Sequence, residues 1–132
     1  MSDQLRVGII GGGIGGVALA RALARRGIDC HLFEQAPAFG EVGAGVQMTP
    51  NAVKVLKALG LGAELARIGF LPEAMVGLNW ETADELFRTP LKVACPVNFG
   101  AEYYHVHRAD LHGILAQDLP ADRISFNARC TG

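Results

Sequence analysis

The run LRVGIIGGGIGG from Leu5 to Gly16, with Glu34 eighteen residues beyond it, has the residue types and spacing suited to gripping a dinucleotide. A pyrophosphate needs backbone N–H groups brought close, and residues without side chains allow that approach. Gly11 lets the chain turn sharply out of a strand. Gly13 removes the Cβ that would hold the phosphates away, and Gly16 lets a helix lie close on the sheet. That helix offers free N–H groups and the positive end of its dipole, worth about 0.3–1 kcal/mol per charge at an exposed end. Glu34 falls where a carboxylate takes ribose hydroxyls, and it disfavours a 2′-phosphate by charge repulsion. The same turn serves FAD and NAD enzymes, so an NAD-dependent dehydrogenase and a non-catalytic nucleotide-binding fragment stand here beside a flavoprotein.

These residues must be held by a strand, a helix and a second strand. Leu5–Ile10 is mostly apolar, as in a parallel strand covered on both faces. Ile14–Arg26 is rich in helix formers and Gly27 stops it; Cys30–Phe33 is the next strand, ending at Glu34. The result is a βαβ unit with a right-handed crossover. Ala36–Gly45 reads as a loop. Thr49 and Pro50 supply an N-cap and first-turn proline for a helix whose apolar stripe is Ala52, Val55, Leu56 and Leu59, with Lys54 and Lys57 solvated. A short helix follows over Ala63–Ile68, then strands Met75–Glu81 and Glu85–Thr89 around a polar turn at Thr82–Asp84. Tyr103–Arg108 reads as a strand extending the parallel sheet, Asp110 as the cap of a helix to Leu119, and Arg123–Cys130 as a further strand. The expected fold is α/β: a three-layer, Rossmann-like domain with a βαβ start and a small added β-hairpin.

At 132 residues the chain has room for about one domain. A net charge of −1 without a basic cluster leaves no electrostatic footprint for nucleic acid. No apolar run approaches the ~20 residues that span a bilayer, and glycines break Val7–Leu23, so neither a membrane segment nor a signal peptide is expected. Cys30, Cys95 and Cys130 are odd in number and far apart, as for buried or idle thiols in a cytoplasmic protein. His105, His107 and His112 lack an acidic or thiol partner to complete a metal site, and none is expected. Trp80, Tyr103 and Tyr104 are read as packing residues.

Four stretches together resemble the FAD-dependent aromatic hydroxylases, the group of salicylate, 3-hydroxybenzoate and 6-hydroxynicotinate hydroxylases. They are Gly11–Gly16 (GGGIGG), Leu32–Pro37 (LFEQAP), Gly40–Ala52 (GEVGAGVQMTPNA) running on to Leu61, and His107–Leu111 (HRADL). The resemblance implies that Gly11, Gly13, Gly15 and Gly16 hold the FAD pyrophosphate and Glu34 the adenosine ribose, with Gln35 beside the adenine. It places the Gly43–Gly45 loop and Val46 near the flavin and Arg108 at the ribityl or phosphate region. Gln47 sits where some relatives carry a histidine proposed as a base. Glutamine has no usable pKa for that task and is left as a substrate or flavin contact; the catalytic residues stay unassigned.

By this resemblance residues 1–132 are the FAD-binding part of a longer flavoprotein monooxygenase, with the Met75–Leu91 hairpin opening a substrate-domain sheet. The implied reaction hydroxylates a small aromatic substrate, hydroxybenzoate- or hydroxypyridine-like, using O2 and NAD(P)H as a transient co-substrate. A homo-oligomer is compatible with it. An Asp-Gly and a Gly-Asp motif of the family do not occur in the chain, so the 132 residues alone are expected to bind FAD weakly and hydroxylate nothing.

Overall fold

A computed structural model describes residues 5–40 and 43–131; Glu41 and Val42 of the Gly40–Ala52 stretch lie outside the described residues. The elements run β1 (Arg6–Ile10), α1 (Ile14–Ala24), β2 (Asp29–Phe33), β3 (Gly45–Met48), α2 (Pro50–Ala58), α3 (Gly62–Ile68), β4 (Met75–Leu78) and β5 (Glu85–Thr89). They continue with α4 (Leu91–Phe99), β6 (Tyr104–His107), α5 (Arg108–Ala116), a 3-10 turn (Ala121–Arg123) and β7 (Ile124–Ser125). Two compact units result: one from the residues up to Ala44 together with those from Arg108 on, the other Gly45–His107.

The first unit is the expected βαβ start. β1 and β2 pair in parallel from Arg6↔Asp29 to Ile10↔Phe33, and β7 joins the far edge of β2, giving the order β1-β2-β7. α1 and α5 pack on one another, with Ile9, Val17, Ala20, Leu32, Leu111, Ile114 and Leu115 buried. Gly27 ends α1 in the left-handed region, φ +68°, where a glycine adds no Cβ clash, and the Ile28 N–H returns to the Leu23 carbonyl. Arg21 on α1 pairs with Asp118 at 2.9 Å, just beyond α5.

Three expectations for this unit are corrected. Tyr103–Arg108 does not extend the parallel sheet: β6 pairs antiparallel with β3, and β7 takes the place beside β2. Arg108 opens α5 instead of ending a strand, which puts Asp110 inside the first turn, where its charge favours the helix dipole without capping it. The strand read over Arg123–Cys130 shrinks to Ile124–Ser125, because Asn127 turns out of line at φ +56°.

In the second unit β3 and β6 pair from Gly45↔His107 to Met48↔Tyr104, and Tyr104 and Val106 are buried while His105 and His107 face outward. β3 begins at the last residue of the expected Ala36–Gly45 loop and runs through Val46–Met48, where no element is expected, because four residues are too few to show a period. Val53, Leu56, Leu59, Leu61 and Leu65 form the buried side of α2 and α3. Val55 is corrected from the buried stripe to the surface at 57% exposure, with Val53 in its place. Thr49 stands at the N-cap of α2, but its hydroxyl bonds the Asn51 side chain and caps no N–H. Lys57 pairs with Glu102 at 2.6 Å, which holds the Glu102 carboxyl below its ordinary value. Helix α4 lies where the sequence reading places no element, and it contains Pro96, whose ring and missing N–H count against a helix interior. It closes on Gly100 at φ +68° and contributes Leu91 and Cys95 to a cluster with Tyr103.

The predicted hairpin is present, with β4 and β5 paired from Met75↔Thr89 to Leu78↔Glu85 and a bulge after Gly77. A Cβ on Gly77 would fall among the ring atoms of Phe87, so the missing side chain gives that ring its seat. In its turn Ala83 stands at φ +59°, which L residues adopt at a cost. Ala83→Gly is expected to raise stability by about 0.5–1 kcal/mol, the left-handed penalty being partly offset by the entropy of the unfolded glycine. A urea melt that does not move, or moves down, would contradict this.

The three cysteines are free: Cys95 is buried, Cys130 exposed and Cys30 half-buried. Burial, aided by the Asp29 carboxylate, raises the Cys30 thiol above its ordinary value.

Candidate functional site

The glycine turn between β1 and α1 is fixed from two sides. Gly11, at φ +98°, donates its N–H to the Phe33 carbonyl at 2.8 Å, tying the turn to the end of β2. The next residue after that strand is Glu34. Its Oε2 accepts the Gly12 N–H at 2.6 Å and its Oε1 accepts the Ala36 N–H at 2.8 Å. These two bonds, the Ala36 N–H first, hold the carboxyl below the usual glutamate value, because they favour the ionised form. Glu34 is itself anchored through its backbone, its N–H to the Ser125 carbonyl and its carbonyl to the Ala128 N–H.

One consequence follows from peptide geometry. In a trans peptide the N–H and C=O point opposite ways. With the Gly12 N–H turned toward Glu34, the Gly11 carbonyl is directed onto α1. A Cβ at Gly16 would land on that carbonyl oxygen, with the Gly11 carbonyl carbon at 3.1 Å and an Ile9 methyl at 3.5 Å. Gly12 is enclosed as well: a Cβ there would meet Phe39 at 2.7 Å and Glu34 Oε2 at 2.9 Å. Gly13 and Gly15 differ, since a Cβ at either meets nothing within 4 Å. Gly13 is the N-cap of α1 and brings no side-chain bond to the first turn, so the N–H groups there remain for a ligand. A closed glycine floor, an open mouth and unfilled helix donors fit the pyrophosphate of a dinucleotide.

Behind the turn, His112 on α5 is buried and its Nε2 donates to the Gly12 carbonyl at 2.6 Å. Phe39 packs edge-on against the His112 ring at 4.7 Å and against Phe126 at 4.9 Å. Neither Phe39 nor His112 was marked by the sequence reading as part of the turn. Their only signal is tertiary, since His112 meets a residue a hundred positions away.

The structure thus gathers Gly11, Gly13, Gly15, Gly16 and Glu34 at one place. Gln35 follows Glu34 but is exposed. Arg108, half-buried, donates its N–H to the Ala44 carbonyl at 2.8 Å, while its guanidinium makes no ion pair among the described residues. Val46 and Gln47 belong to the second unit, on β3. Gln47 Oε1 accepts the Tyr103 hydroxyl at 2.7 Å, which leaves its NH2 outward as a donor. Tyr103 also packs edge-on against His105 at 5.7 Å. Among the described residues no group of three or more His, Cys, Asp or Glu side chains is placed to hold a metal ion, and no helix is long and apolar enough to cross a membrane.

Residues 4–125 match the FAD binding domain family. The chain is 40% identical over 131 residues to 6-hydroxynicotinate 3-monooxygenase of Bordetella bronchiseptica, covering 99% of this chain and 34% of that protein. It is 41% identical over 127 residues to 3-amino-4-hydroxybenzoate 2-monooxygenase of Streptomyces cremeus, covering 96% and 32%. Among solved structures, Klebsiella pneumoniae HpxO complexed with FAD and uric acid superimposes with a TM-score of 0.83 at 25% identity, over 96% of this chain and 32% of that one. The chain spans about a third of the length of the curated relatives it matches.

Proposed function

Because the chain belongs to the FAD binding domain family, we propose that it forms the FAD-binding portion of a flavin-dependent monooxygenase that hydroxylates a hydroxybenzoate- or hydroxypyridine-like ring. The clamped glycine turn, closed at Gly12 and Gly16 and open at Gly13 and Gly15, carries the dinucleotide part of the reading, and the family match over residues 4–125 selects FAD. The two relatives named above, both monooxygenases of such rings, support the substrate class.

In this reading the open N–H groups at Gly13 and in the first turn of α1 receive the pyrophosphate, and Glu34 presents its remaining lone pairs to the ribose. Gln35 lies beside the adenine end. Bound FAD supplies the redox and oxygen chemistry, with NAD(P)H and O2 as co-substrates. The protein's part is placement. Gln47 orients substrate or flavin through its NH2 and moves no proton, and Val46 lies along the flavin. The Met75–Leu91 hairpin begins the substrate-domain sheet, a role favoured by its uncovered Leu78, Leu86, Phe87 and Trp80, the last 89% exposed. The reading includes a cytoplasmic location and is compatible with a homo-oligomer.

The test is reconstitution. The purified protein is titrated with FAD by quenching of flavin fluorescence, then given NADH or NADPH, O2 and a panel of hydroxybenzoates and hydroxypyridines. Weak FAD binding, with NAD binding at least tenfold weaker still and no hydroxylated product from these 132 residues alone, is the expected result. Absence of flavin binding would overturn the reading.

Arg108 gives a sharper check. Its unpaired guanidinium suits two parallel bonds to phosphate oxygens, which an ammonium cannot reproduce. Arg108→Lys is expected to recover only part of the FAD affinity lost in Arg108→Ala. Equal affinity for Lys and Arg would leave a generic cation at that position.

A further inference from the structure

We propose that His112 is the positioning residue of the dinucleotide turn, aiming the Gly13 N–H at the ligand phosphate from the opposite end of the peptide. The inference rests on the FAD reading above, but its geometry stands on the protein alone. The Gly12 carbonyl can only accept, so the 2.6 Å contact makes His112 Nε2 the donor. That carbonyl belongs to the same peptide as the Gly13 N–H, and in a trans peptide the two point opposite ways. Holding the carbonyl against α5 therefore turns the Gly13 N–H to the far side, where the turn is open and no hydrogen bond engages it among the described residues.

Two other features make this a fixed orientation. Glu34 grips the preceding peptide through the Gly12 N–H, so both peptides flanking the Gly12 Cα are held. Phe39 and the packing of α1 on α5 fix the imidazole in turn. Glycine peptides rotate freely when unheld, and a donor that must be oriented at the moment of binding gives up affinity. His112 removes that cost, and the buried carbonyl it satisfies would otherwise be left without a partner.

The experiment compares His112→Phe, which keeps a ring against Phe39 but has no donor, with His112→Gln, whose amide N–H reaches about as far as Nε2. FAD affinity is read by fluorescence quenching. Amide exchange at Gly12 and Gly13 is read by NMR on the protein without nucleotide. His112→Phe is expected to weaken FAD about tenfold or more and to speed exchange at Gly12, whose N–H is the bonded one of the two, the open Gly13 N–H serving as the unprotected reference. His112→Gln should stay within about threefold of wild type, because only the donor matters. ADP affinity should fall in parallel with FAD affinity, and riboflavin affinity should not. Wild-type affinity and exchange in His112→Phe, or a full loss in a folded His112→Gln, would overturn the proposal. If His112→Phe does not fold, His112→Leu is read against the same two outcomes. If the wild type itself binds no FAD, the FAD reading fails, and the exchange rates still decide the role of His112.

Discussion

Gly16→Ala is expected to cost the protein both its stability and its FAD. The added Cβ falls on the Gly11 carbonyl oxygen, and the Gly11 carbonyl carbon lies 3.1 Å away. Both are backbone, and the Gly11 carbonyl is directed there because Glu34 holds the other end of its peptide. No side chain can swing aside. The first turn of α1 must lift from β1, carrying with it the N–H groups meant for the phosphates. Overpacking of this kind costs about 1–3 kcal/mol and sometimes more, a large share of the ~5–15 kcal/mol that holds a domain folded. Gly13→Ala is the matched control: its Cβ enters open space and its backbone is extended at φ −70°. It should leave the urea midpoint nearly unchanged while weakening FAD, because the Cβ occupies the room the pyrophosphate needs. A Gly16→Ala protein with the wild-type midpoint would contradict the packing argument. Undiminished FAD binding by Gly13→Ala would contradict the open mouth.

Glu34→Gln should come next in size, and it should act before any nucleotide is added. Both carboxylate oxygens accept backbone N–H bonds, and a hydrogen bond to a charged group contributes about 1.5–3 kcal/mol. Glutamine offers one acceptor, and its NH2 would face a second donor. The apo protein is therefore expected to melt earlier, and FAD affinity to fall further. The pH dependence has a definite sign. The folded carboxyl sits below its ordinary value, so the unfolded chain takes the proton first. The stabilisation is complete above the unfolded value of about 4.3 and is lost as pH falls through the lower native one. Wild type should lose stability more steeply than Glu34→Gln below that point, and the two profiles should run parallel between pH 5 and 7. Parallel profiles down to pH 3 would remove Glu34 as the anchor.

The βαβ start was legible because each part carries its own local signal: an apolar strand, a glycine turn, helix formers closed by Gly27, and an acid after the next strand. The hairpin was legible for the same reason. What stayed hidden was partnership. β6 was recognised as a strand but assigned to the parallel sheet, because its true partner β3 is a four-residue strand at the end of a glycine-rich loop, too short to show a period. Asp110 looked like a cap because the sequence does not show that α5 begins at Arg108. At the site, Glu34 was recognised for its spacing, but its grip on Gly12 and Ala36 was not. His112 was weighed only with His105 and His107 as a metal ligand, and the fold brings it to the Gly12 carbonyl instead.

The Arg108 N–H meets the Ala44 carbonyl, so the chain departs for the whole of Gly45–His107 and resumes at the point where it left. This has a cost in time. The bonds that complete the first unit span very long stretches of chain, 100 residues from Gly12 to His112 and 94 from His31 to Ser125. Closure over such distances adds only slowly to the equilibrium cost, but contacts this remote delay folding. During synthesis β1, α1 and β2 emerge first, with a sheet edge still waiting for β7 and a glycine turn still waiting for α5. The second unit, whose β3 and β6 close on each other, is made in the interval. Within these 132 residues the glycine turn is made well before the α5 residue that completes it.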